Sequence, residues 1–291
     1  MKLWPLLIFV PLLNSCSQEA PSTAPPVLYF TAIPDDNTTE LRQKFEPLAA
    51  HLSHELGIPV RYLPTASYAA SVEAFKNGDV QLAWFGGLTG AQARAAVPGS
   101  QAIAQGEIDP EYKSYFIAHQ DSGLQPGEDF PKILQGKSFT FGSPSSTSGR
   151  LMPEYFIRTN TGKSPENFFE QPNHYSGSHD KTALLVQAGT FDSGALSYKT
   201  YEKMVRKGAI DPKVCFILWT TPTYPDYNWT VHPSVQNTFG EDFTEKLQGT
   251  LVSITDKELL HAVLRPEGLI PATNQDFLPV HQLAQELGFL R

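Results

Sequence analysis

The sequence predicts an α/β protein of two similarly built lobes, and three observations carry that reading. Strand-like and helix-like segments alternate through the first third of the folded region. The same local order returns about a hundred residues further on, too widely spaced for a solenoid repeat. Two extended apolar segments stand where the chain would pass between the two copies.

The first copy opens with "VLYFTAI" (27–33), an apolar run with the length of a buried strand. In "TTELRQKFEPLAAHLSHELG" (38–57), Leu41, Phe45, Leu48, Ala49, Leu52 and Leu56 recur at helical spacing, and Gly57 occupies the stop position. "PVRYLP" (59–64) reads as a strand. "SYAASVEAFKNG" (67–78) reads as a helix capped by Ser67 and ended by Gly78. "VQLAWFG" (80–86) is the next strand. Alternation of this kind points to a sheet with crossover helices.

In the second copy, "FTFG" is followed by "SSTSG", which opens a helix, and then by "HYSGSHDKTALLVQAGTFDSGALS". The helix–Gly–Asp–strand order of "VEAFKNGDVQLAW" reappears in "ALLVQAGTFDSGAL". The segments "KSYFIAHQ" (113–120) and "CFILWTTPTY" (215–224) are the expected crossings, making a two-segment hinge. "FTEKLQGTLVSI" and "FLPVHQLAQELGFL" supply two amphipathic helices expected to pack back on the first lobe.

A chain of 291 residues with 41% hydrophobic content has ample material for a core. Its net charge of −8 argues against a nucleic-acid surface, so a bound anion would be held by local dipoles. Met1, Lys2 and the apolar "LWPLLIFVPLL" resemble a signal peptide, too short for a comfortable membrane span. It ends in Leu13-Asn14-Ser15-Cys16, which resembles the lipobox of bacterial lipoproteins, where the cysteine is acylated. "SQEAPSTAPP" (17–26) then has the composition of a flexible tether. A lipid-bearing Cys16 leaves Cys215 without a disulfide partner, and "VCFILW" places Cys215 in the core.

The chemistry concentrates in "SPSSTSGR" (143–150). A helix beginning there aims backbone N–H groups and hydroxyls at one point, and Gly149 permits close backbone approach. A second helix, starting near Ser178, would aim its N-terminus and His179 at the same cleft. Arg150 is available, or lies along the helix surface. Taken alone, the Ser/Thr cluster is ordinary helix-cap material and His179 an ordinary capping residue; the combination favours an oxyanion site. Trp84 and Phe85 read as core or cleft wall. His51 and His54 have an i, i+3 spacing that could hold a metal but read as solvated on a polar helix face, His174 and His179 lack a further nearby His or Cys, and no metal or cofactor is expected. A serine hydrolase would need an activated nucleophile, but there is no G-x-S-x-G elbow and "SGRLM" is not the S-x-x-K motif.

The combination of "SSTSG", "YSGSHD" and a later Pro-Asp before a tryptophan resembles the phosphonate/phosphite group of substrate-binding proteins of ABC transporters, over nearly the whole mature chain. "YFTAIPDDN", "QLAWFGGLTG", "VPGSQAIAQG", "SSTSGRLMPEYFIR" and "YPDYNWTV" look closer to a selenate-binding branch. The resemblance implies a type-2 periplasmic-binding-protein fold closing on a tetrahedral oxyanion. It implies ligand contacts at Ser146, Thr147, Ser148, Gly149 and His179, with Tyr68, Tyr112 and Ser114 matching its first-lobe aromatic and hydroxyl positions. Asp192 and Asp226 occupy the positions from which carboxylates would face an ammonium-bearing ligand. Asp192 also echoes Asp79 of the first copy, which favours an architectural role for it.

The resulting expectation is a monomeric, lipid-anchored receptor in the periplasm or at the cell surface, serving an ABC permease and its ATPase. Its parts are a signal peptide (1–16), a tether (17–26), a first lobe (27–115 and 223–291) and a second (116–222). A receptor reporting to a membrane sensor is the alternative, with a Ser/His hydrolase well behind.

Overall fold

The computed structural model describes residues 25–35 and 38–290, so Cys16 and most of the tether lie outside the described residues. The first lobe begins with β1 (Leu28–Ala32), α1 (Thr38–Leu56), β2 (Val60–Tyr62), α2 (Tyr68–Lys76), β3 (Leu82–Phe85), α3 (Gly87–Ala96) and β4 (Gln101–Gly106). The second lobe carries β5 (Ser114–His119), β6 (Phe139–Phe141), α4 (Met152–Thr161), α5 (Pro165–Phe169), β7 (His174–Tyr175), α6 (His179–Gln187), β8 (Ser193–Ser197), α7 (Tyr198–Arg206) and β9 (Cys215–Thr220). The chain then returns through β10 (Asn228–Val231), α8 (Ser234–Phe239), α9 (Phe243–Val252), α10 (Lys257–His261), β11 (Leu269–Pro271) and α11 (Leu278–Glu286).

Two mixed sheets result, ordered β11-β4-β10-β3-β1-β2 and β7-β6-β8-β5-β9. The crossover helices make β1, β2 and β3 parallel, and β7, β6 and β8 parallel. The returning β10 runs antiparallel between β3 and β4 at the centre of the first sheet. Its Trp229 is fully buried, against Phe30 and Trp84. The helix signals act as read: Ser67 Oγ accepts the Ala70 N–H at 3.1 Å, and Gly57 and Gly78 end their helices at positive φ. Both C-terminal helices return to the first lobe, α9 against α1 and β4, α11 against α3. Cys215 is buried, and burial pushes its thiol up to about 12.

The expected crossings need correction. Residues 114–119 and 215–220 are neighbouring antiparallel strands inside the second sheet, so Ser114 and Tyr115 belong there. The passage between lobes is made by the residues flanking them. Tyr112 and Tyr224 exchange both backbone hydrogen bonds at 2.9 Å, and the Asp226 N–H reaches the Asp109 carbonyl at 3.1 Å. The two connections are therefore paired, which restricts their motion to bending together. Arg265, buried beneath them, grips the Asp109 carboxylate at 2.5 and 2.8 Å and stacks on Tyr227 and Tyr112. Among the described residues no helix is long and apolar enough to cross a membrane.

Candidate oxyanion site

The site is assembled where strand ends meet helix starts, the usual place for ligands in open α/β sheets. After β6 the chain turns, and Ser146 caps the next helix by accepting the Gly149 N–H at 2.9 Å. The first turn, Thr147–Leu151, is wound as a π turn before α4 continues. Such single wide turns recur at functional sites because they re-aim side chains without ending the helix. Ser146, Thr147 and Ser148 are all buried at the junction of the lobes.

Gly149 has a different task from the one expected. Its N–H serves Ser146, and a Cβ there would lie 3.0 Å from Ser146 Oγ and 3.1 Å from Gly142 Cα. The close approach it permits is to the Gly142 backbone, which brings β6 against the turn.

His179 opens α6 and is buried. Its Nδ1 accepts the Ser197 N–H at 3.3 Å, so the ring proton sits on Nε2, which faces Ser148 Oγ at 3.5 Å. A catalytic base needs the opposite tautomer, with Nε2 free to take a proton from serine. Here the imidazole is a donor, as an oxyanion requires.

Tyr68 stands edge-on to His179 at the start of α2, with ring centroids 6.4 Å apart. Burial, aided by the charges of Asp35 and Asp226, holds its phenol well above the ordinary range, so it is a donor at every physiological pH. Tyr112 pairs its hydroxyl with Ser197 Oγ, and Ser114 gives its proton to the Ser148 carbonyl at 2.7 Å while sitting 2.5 Å from Tyr224 Oη. Tyr112 in the connection and Ser114 at the start of β5 therefore brace the site.

The first lobe contributes a helix N-terminus that the sequence reading passed over. The Gly87 N–H of α3 goes to Asp226 Oδ1 at 2.8 Å, and the Leu88 N–H to Thr147 Oγ1 at 3.0 Å. Gly86 has to be small: a Cβ would lie 3.2 Å from Thr147 Oγ1 and 3.3 Å from Asp226 Oδ1. Asp226 is 1% exposed, and burial pushes its carboxyl up to about 7 against the helping Gly87 N–H and Thr147 hydroxyl. Its Oδ2 and the Tyr68 hydroxyl are buried side-chain atoms with no hydrogen-bond partner. A buried polar atom left so is costly.

Two of the candidate residues are engaged away from this cluster. Asp192 is not brought to this cluster: its Oδ2 takes the Ser138 N–H at 2.9 Å and hydroxyl at 2.8 Å. It precedes β8, whose opposite end carries Ser197 beside His179. Arg150 is buried, not laid along the helix surface, and its guanidinium pairs with Glu154. Cationic charge therefore plays little part at the cradle itself. Trp84 forms cleft wall, stacked on Tyr227 at 5.5 Å.

Residues 30–277 match the family described as ABC transporter, phosphonate, periplasmic substrate-binding protein. The chain belongs to that family. It is 36% identical over 273 residues to a Prochlorococcus marinus protein named probable ABC transporter phosphite binding protein PhnD1, with 92% of each chain covered. The structure of PhnD1 from that organism in complex with methylphosphonate matches with a TM-score of 0.84, covering 90% of this chain and 98% of that one. The phosphonates-binding periplasmic protein of Escherichia coli is 24% identical over 266 residues, covering 88% of this chain and 75% of its own. This member of the phosphonate-binding family therefore has the type-2 periplasmic-binding-protein fold and is a binding component of an ABC importer, not an enzyme.

Sequence reasoning missed Ser197, Tyr224 and the Gly86–Leu88 turn of this family member. Ser197 ends a strand and "WFGGLTG" repeats the strand–glycine–helix order of the cradle, so both carried a usable signal.

Proposed function

We propose that the protein captures phosphite or a short phosphonate in the periplasm and presents it to an ABC permease. The observation that carries this is the pairing of donors with one buried carboxyl. Ser148, His179 and Tyr68 offer hydrogen bonds to anionic oxygens, while the unpartnered Asp226 Oδ2 suits an acidic ligand hydroxyl. When Asp226 is ionised, phosphite and phosphonates can offer it such a proton, whereas the fully ionised sulfate and selenate offer it none. The relative complexed with methylphosphonate and the phosphite-binding name of PhnD1 support the same ligand class.

Compact ligands are favoured over 2-aminoethylphosphonate. Asp192 is engaged by Ser138, which leaves Asp226 alone to meet an ammonium group. We also propose that acylation of Cys16 anchors the receptor to a membrane and that it works as a monomer.

A thermal-shift panel tests the reading. Phosphite and methylphosphonate are expected to raise the melting temperature above selenate, sulfate or 2-aminoethylphosphonate, since ligand at 100 times its Kd adds about 2.7 kcal/mol. A shift with selenate alone would restore the selenate branch, and one with 2-aminoethylphosphonate alone the larger-ligand reading.

A further inference from the structure

Arg150 follows the anion-binding hydroxyls directly, yet its charge is spent elsewhere. Its guanidinium carbon lies 4.5 Å from the Phe141 ring centroid and 5.7 Å from that of Tyr175, and its Nε donates to Tyr175 Oη at 3.0 Å. Glu154, one turn along α4 and 3% exposed, balances the charge and also takes Arg158 Nε at 2.6 Å. All of these belong to the second lobe. From the first lobe, the Phe289 ring lies 5.3 Å from the same guanidinium carbon.

Phe289 is itself held in place. Its N–H bonds the Ala284 carbonyl at 2.7 Å, and its own carbonyl accepts Gln92 Nε2 of α3 at 3.1 Å. Beside it, Leu151 of the π turn is buried among Leu88, Val280 and Ala284 of the first lobe.

We propose that Phe289 is a positioning residue for anion binding, clasping Arg150 so that the turn bearing Ser146, Thr147 and Ser148 stays docked on the first lobe. Arg150 and Ser148 share one helical turn, so the two move together. Parting the lobes along this flank strips the ring from the cation and the apolar partners from Leu151. A cation–π contact is worth more when desolvated, and Arg150 is only 6% exposed. Apparent affinity scales with the fraction of the chain in the binding-competent arrangement, so a contact made only there tightens binding without touching ligand. The proposal rests on the reading of the cleft as the oxyanion site.

Calorimetry and stopped-flow binding of phosphite and methylphosphonate to the full chain test it, with Phe289→Leu and Phe289→Tyr compared to wild type. Phe289→Leu keeps apolar bulk but removes the ring, and is expected to weaken binding about 2- to 30-fold, mainly through faster dissociation. Phe289→Tyr is expected to bind within about 2-fold of wild type, because the ring face is retained. Wild-type affinity in Phe289→Leu, or equal loss in both variants, overturns the clasp. Should Phe289→Leu lose its cooperative melting, Arg150→Lys replaces it. That variant keeps the charge and loses the planar stack, and unweakened binding there overturns the clasp equally. A wild-type chain that binds neither anion overturns the reading of the site, and the clasp with it.

Discussion

Replacing Asp226 by asparagine should make the ligand-free protein more stable at alkaline pH, although it removes a functional side chain. The ordinary aspartate pKa of 3.8 is pushed to about 7 in the folded chain, chiefly by burial. Below about pH 4 the carboxyl is protonated in both folded and unfolded chains, and its contribution to stability is complete. Between about pH 4 and 7 the unfolded chain gives up the proton while the folded one keeps it, so stability falls by about 1.4 kcal/mol per pH unit. The accumulated loss above pH 7 is about 4 kcal/mol. Asparagine keeps an oxygen for the Gly87 N–H and cannot titrate, so Asp226→Asn escapes that loss. Asp109, also raised by burial, is common to both proteins and cancels in the difference. Urea denaturation from pH 4 to 8.5 measures the gap, expected to be near zero at the acid end and to widen steadily to pH 7. Parallel curves would refute the reasoning, since they would mean that Asp226 is solvated or already paired.

Three further outcomes follow from the same geometry. Ser148→Ala removes a hydroxyl facing the His179 donor and should weaken phosphite binding by about 1–3 kcal/mol in calorimetry, the usual cost of a hydrogen bond to a charged group. Asp192→Asn disturbs the pair of bonds to Ser138 and should lower the melting temperature without reordering anion preference; a changed ranking of anions would return Asp192 to the site. Arg265→Met leaves the Asp109 carboxylate buried and unpaired beneath the hinge, and urea unfolding should report a loss of about 3–5 kcal/mol.

Much of this arrangement was legible in the sequence because it is local. Ser67 and Ser146 cap within three residues of themselves, and the cradle announced itself as hydroxyls between a strand and a helix. What stayed hidden depends on residues far apart in the chain. Asp192 and Asp226 are both acids at motif positions, and only the approach of Ser138 to one and Gly87 to the other separates a brace from a site. Arg150 looked available because its cage comes from Phe141, Tyr175 and Phe289, on three separate elements. β10 was not recognised as a strand because "NWTV" is only four residues long, yet it lies at the centre of a sheet. The crossings were placed a few residues off because β5 and β9 have the same extended, apolar character as a linker.

The central claim is that hydroxyl and imidazole donors and one buried carboxyl together hold a proton-bearing oxyanion. A crystal structure with methylphosphonate tests it most directly. Its phosphonate oxygens are expected within hydrogen-bond distance of Ser148 Oγ, His179 Nε2 and Tyr68 Oη, with one of them against Asp226 Oδ2. A phosphonate group bound away from Asp226, or held by Arg150 after the cage has opened, would contradict the account.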